Sequence, residues 1–121
     1  MNGRELAFFV AGFMNNKKVF DVDIIDISTK SSFADYFVLG SCGSQRQVEA
    51  ISEDIKELLE SKGVELKSID GRNGSGWVIL DFNDIIVNVF TEDMRDRYSL
   101  EKVWADCGVI RFNDETGEVE E

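Results

Sequence analysis

From Ser44 to Gly63 the chain carries a full set of helix signals, and short apolar runs flank it on both sides. Ser44 followed three residues later by Gln47 fits a capping box, in which each side chain satisfies a backbone N–H of the other residue. Val48, Ile51, Ile55, Leu58 and Leu59 recur on one helical face, and Gly63 supplies the left-handed stop. Tyr36–Leu39 before this helix and Val64–Ile69 after it read as strands. A strand, a helix of this length and a second strand predict a βαβ crossover with parallel pairing. That rules out purely helical and purely β architectures.

The remaining patterns fill in the sheet. Leu6, Phe9, Val10 and Phe13 recur at helical spacing between Asn2 and Asn16 and mark an amphipathic helix. Val19–Ile27 alternates, with Phe20, Val22 and Ile24 on one face and Asp21 and Asp23 on the other, which predicts a strand with one face in solvent. Trp77–Phe82 and Ile85–Phe90 flank Asn83 and Asp84, residues that tolerate positive φ, and predict a hairpin. Thr91 can cap a last helix, with Glu92 and Asp93 at the positive end of its dipole. The expected fold is a single α/β domain over residues 1–106, a mixed sheet of about five strands with helices near 3–15, 44–62 and 92–104. Residues 107–121, rich in Gly and Glu, are expected as a loosely held acidic tail.

Composition narrows the chemistry. The 121 residues suit one domain and include no histidine, no proline and two cysteines, Cys42 and Cys107. Without histidine, imidazole acid–base catalysis and the usual zinc sites are excluded. Two distant cysteines build neither a disulfide framework nor a metal knuckle. No apolar run approaches the ~18 residues of a membrane span, and the N-terminus lacks a secretory cleavage pattern, so a cytoplasmic location is expected. Thirteen basic against 24 acidic residues leave a net charge of −11. Such a field repels nucleic-acid phosphates and favours basic partners, so nucleic acid is not expected as the primary ligand.

Three clusters invite a catalytic reading, and each has a plainer one. Gly40-Ser41-Cys42-Gly43-Ser44 is a small-residue turn ahead of a helix, suited to phosphate in principle, but it lacks the lysine of a phosphate loop. Asp81, Asn83 and Asp84 could hold magnesium, yet Asp and Asn are the residues a tight turn uses anyway. Cys42 has no histidine to activate it. No catalytic residue, cofactor or metal site is therefore assigned. Aromatic residues point instead to a binding surface: Trp77 follows a Gly-rich loop, and Tyr98 and Trp104 lie on the last helix.

Several segments together resemble the bacterial ribosomal silencing factor (Iojap) family. They are Asp35-Tyr36-Phe37-Val38-Leu39, then Ser44, Arg46, Gln47 and Val48, then Gly71, Trp77–Asp81, Asp84–Val87, Val89-Phe90 and Tyr98–Trp104. The ordered set runs from about Leu6 to Trp104. The chain departs from the family at Asn88, where a histidine is usual, and in Cys42-Gly43-Ser44, where the turn normally reads Gly-Thr-Ser.

The resemblance implies a nucleotidyltransferase-like topology without the catalytic site, and a translational repressor rather than an enzyme. It further implies binding of the large ribosomal subunit through ribosomal protein fourteen. There the bound protein would hinder joining of the small subunit when nutrients are scarce, and the free protein would be a homodimer. On these grounds the partner-binding residues are expected to be Trp77, Asp70, Asp81, Phe90, Met94, Tyr98, Leu100 and Glu101. The aromatics would supply buried area, while Asp70, Asp81 and Glu101 would meet basic side chains. Composition alone also permits a nucleotidyltransferase-like enzyme or a dimeric acidic adaptor for another basic protein.

Overall fold

The structure, a computed structural model, describes residues 1–71 and 74–120, with the side chain of Glu101 outside the described residues. Along the chain it places α1 (Gly3–Asn16), β1 (Phe20–Asp26), β2 (Tyr36–Cys42), α2 (Gln45–Ser61), β3 (Ser68–Asp70), β4 (Trp77–Asp81) and β5 (Ile85–Thr91). There follow α3 (Glu92–Arg97), α4 (Leu100–Val103), β6 (Gly108–Phe112) and β7 (Val119–Glu120). All strands join one mixed sheet of seven, in the order β3-β4-β5-β2-β1-β6-β7. The α/β class stands, with two strands more than the expected five.

The start signals of the helices are used much as the sequence promised. Asn2 caps α1, its side chain accepting from Glu5 N while Glu5 returns the bond to Asn2 N. At α2, Ser44 accepts from Gln47 N, but Gln47 Oε1 reaches back to Gly43 N, one residue beyond the box. Gly63, at φ 77°, closes that helix, a backbone state glycine adopts without steric cost. The expected last helix is broken in two. Ser99 Oγ donates to the Asp96 carbonyl, and the backbone turns at Tyr98 and Ser99 between α3 and α4.

Three expectations need correction. The parallel partner of β2 is β5, in register from Tyr36↔Ile85 to Cys42↔Thr91, whereas β3 lies at the sheet edge, antiparallel to β4. The β4–β5 hairpin occupies the slot beside β2, so the crossover returns two strands further out, and Val64–Lys67 is not strand. Secondly, the supposed tail supplies an internal strand. β6 pairs antiparallel with β1, and Ile110 and Phe112 are buried in the core. Five residues, Gly-Val-Ile-Arg-Phe, carry that strand inside an otherwise acidic, Gly-containing stretch, which is why composition hid it. Thirdly, β1 sits between β2 and β6 and is buried on both faces, so Asp23 does not face solvent.

Two apolar layers result. On one face of the sheet, α1 and α2 cover Val22, Ile24, Val38, Val78, Leu80, Val87 and Val89. The buried stripe of α1 is Leu6, Ala7, Val10, Ala11 and Met14, and Phe9 and Phe13, expected there, are only half-buried. Gly40 makes that packing possible, because a Cβ there would lie 2.2 Å from Met14 Cε. On the opposite face a smaller cluster of Ile25, Ile27, Ala34, Phe37, Leu39 and Phe90 lies beneath Met94, Leu100 and Trp104.

Candidate protein-docking face

Side chains alternate along a strand, so cross-strand register shows which residues share a face. One row on the α3–α4 face runs Ser68–Asp81–Ile86–Phe37–Ile25–Val109, and the next runs Asp70–Ile79–Asn88–Leu39–Asp23–Arg111. Trp77 and Phe90 pair across β4 and β5 in a third row. Asp70, Trp77, Asp81 and Phe90, chosen from sequence, thus share one side of the sheet, and Met94 and Leu100 from α3 and α4 pack on that same side. Over β1 and β2 this side is buried. Over β3 to β5 it stays open, with Ile79, Ile86 and Asp81 half-buried and Asp70 exposed.

Trp77 anchors the open half. Its ring stacks on Phe90 at 5.0 Å and meets Tyr98 at 4.9 Å. Its Nε1 donates to Asn88 Oδ1 at 3.0 Å. Asn88, where the resemblance leads one to expect histidine, therefore acts as a buried acceptor that orients the indole. Phe90 is fully buried and supports Trp77 from beneath, so it offers no surface to a partner. Tyr98 is 44% exposed and is the accessible aromatic of the group. The side chain of Glu101 lies outside the described residues.

Sequence reasoning missed two parts of this face. Phe33 and Val103 are 56% and 71% exposed, and Phe33 leans on Phe37, which in turn meets Trp104 edge-on at 5.5 Å. An ion pair between Lys30 and Asp106 ties the loop bearing Phe33 to the segment after α4. The second missed part is a buried charge cluster. The Asp23 carboxylate accepts from Arg95 Nη2 at 3.0 Å and from Arg111 Nε at 2.9 Å. Arg95 Nη1 also donates to Ser41 Oγ and to the Asp21 carbonyl. Asp23 is 1% exposed and Arg95 5%, so each charge depends on the other's neutralising field. The cluster pins α3, and with it Met94, to β1 and β6. Arginine on a charged helix gives no sequence hint of an inward direction.

The residues with catalytic potential are engaged otherwise. Asp81 Oδ1 accepts from Asn83 N at 2.8 Å, and Asn83 takes φ 78°, as a tight hairpin requires. In the turn before α2, the Gly43 and Gln47 N–H groups are already bonded to protein side chains. Burial pushes the Cys42 thiol up to about 11, away from the thiolate that reactivity needs. A concavity of about 540 Å³ is an open hollow between Val64–Lys67 and Phe82–Asp84, whose charged members Glu65, Lys67 and Asp84 are all exposed.

Fold and face together define an α/β domain that offers a half-open sheet surface with an aromatic anchor and carboxylates at its margin. The comparisons identify its kin. The sequence matches the family described as "Ribosomal silencing factor during starvation" over residues 2–121, and the chain belongs to that family. It is 34% identical over 107 residues to the ribosomal silencing factor RsfS of Bacillus subtilis, covering 88% of this chain and 91% of that protein. It is 32% identical over 112 residues to the protein of the same name from Halalkalibacterium halodurans, covering 93% and 96%. A crystal structure of a Chromobacterium violaceum protein superposes with a TM-score of 0.80 at 25% identity, covering 87% of this chain and 88% of that one. A more distant mouse relative, 24% identical over 102 residues, is named for mitochondrial assembly of the ribosomal large subunit, and the chain spans 43% of its length.

Proposed function

We propose that the protein is a ribosome-associated repressor of translation that acts by occupying a surface of the large subunit. Membership of the silencing factor family over residues 2–121 carries this proposal. The docking surface is the open sheet face, with Tyr98 and the Trp77 edge at its centre, Ile79 and Ile86 as flanking apolar contacts, and Asp70 and Asp81 at the margin. Its partner is large-subunit ribosomal protein fourteen, and the bound protein blocks approach of the small subunit. An acidic domain of charge −11 is steered toward basic ribosomal proteins and away from bare rRNA. Occupancy needs no turnover, which agrees with the engagement of Asp81, Cys42 and the α2 turn in folding. The free protein is cytoplasmic and homodimeric.

Light scattering of subunit joining tests the repression step. Added protein should lower the extent of joining in proportion to its occupancy of large subunits. Full joining in the presence of saturated large subunits would contradict steric exclusion.

A further inference from the structure

The two long helices treat solvent differently. The outward side of α2 carries Glu49, Glu53, Asp54, Glu57 and Glu60. In α1 no charged residue occurs between Leu6 and Asn16, although only one side of the helix is buried. A helix that is apolar all round normally has both sides covered. Here Phe8, Phe9 and Phe13 are half-buried, and with Gly12, Asn16 and Leu58 of α2 they line a groove of about 400 Å³. A Cβ at Gly12 would meet nothing within 4 Å, so the floor of the groove is open at that point and another backbone could approach closely.

Cations border this groove on a strongly acidic molecule. Lys17 Nζ stands 5.7 Å from the Phe13 ring centre and Lys62 Nζ 5.8 Å from that of Phe9. Their stems shield the rings in the free protein, while the charges favour an incoming acid. A second copy in a groove-to-groove contact would bring these cations together, which disfavours it. We infer that the α1–α2 groove is a second docking site, which takes an amphipathic helix of a partner protein whose apolar ridge is flanked by carboxylates. It lies on the sheet face opposite Trp77, so the protein could hold that partner and a ribosomal surface at once.

The test uses two synthetic amphipathic helical peptides with the same apolar ridge, one flanked by Glu and one by Lys, titrated into the full chain and followed by backbone amide NMR. The Glu peptide should give saturable shifts in α1 and around Leu58, and should bind about tenfold or more tighter than the Lys peptide. Gly12→Leu fills the groove and favours the helix, so it should raise the melting temperature while weakening the Glu peptide about tenfold or more. Co-sedimentation of Gly12→Leu with large subunits should be unchanged, which separates this site from the ribosomal face. Three outcomes would overturn the inference: no saturable α1 shifts, equal binding of the Glu peptide to Gly12→Leu, or concentration-dependent α1 shifts without any peptide. The last would mean that a second copy fills the groove.

Discussion

The two faces of the sheet are built on different principles. Under α1 and α2 the strands contribute only apolar buried side chains, most of them aliphatic, such as Val22, Ile24, Val38, Val78, Leu80, Val87 and Val89, with Cys42 and Phe112 beside them, and the layer is closed. On the other face the rows mix aliphatic residues with Asp23, Asn88, Asp81 and Asp70, and α3 and α4 cover only half of it. The closed face supplies stability. The open face trades stability for exposed aromatic and acidic groups, and its polar members need dedicated partners: Arg95 and Arg111 for Asp23, and Trp77 for Asn88.

Substitutions can break this contrast in order of size. Asp23→Ala should cost most, about 3–5 kcal/mol by urea denaturation, because it leaves Arg95 buried without its carboxylate. Leu80→Ala on the closed face should cost about 2–5 kcal/mol through a cavity, with no change in large-subunit binding at temperatures where the variant is folded. Asn88→Ala should cost about 1–2 kcal/mol, since the indole N–H of Trp77 loses its acceptor, and should shift tryptophan fluorescence.

Cys42 gives a smaller effect, confined to alkaline pH. Its thiol is raised from 9.0 to about 11 by burial, so the stability linked to its neutral form is complete below pH 9 and is lost as pH rises through about 11. Iodoacetamide near neutral pH should therefore label half-buried Cys107 and spare Cys42 until the protein unfolds. Equal labelling of both in the native state would show that Cys42 is accessible.

Much of this was legible in the sequence where local signals and tertiary packing agree. The α2 cap, stripe and glycine stop describe a helix that packs as its pattern demands, and Asn83 forms the turn expected of it. Legibility failed where distant elements decide. Asp23 reads as a solvent residue until β6 and α3 bring arginines to it, and β6 itself is five residues within an acidic stretch. For the candidate face, the resemblance and the pairing of aromatic with acidic residues led to Asp70, Trp77 and Asp81, which the strand register puts on one side, but neither could show that Phe90 lies wholly beneath Trp77. Phe33 was missed because an isolated aromatic in a loop carries no periodicity.

The central claim is that the open face docks on the large subunit and the closed face does not. Co-sedimentation of purified large subunits with wild type, Tyr98→Ser and Ile79→Glu tests it most directly. Tyr98 is exposed and Ile79 half-buried at the edge of the layer, so the Tyr98 variant should keep its melting temperature within a few degrees. Both variants should lose large-subunit binding, by about tenfold or more each, while neither they nor wild type should pellet with small subunits. Wild-type binding by folded Tyr98→Ser and Ile79→Glu would contradict the assignment of this face.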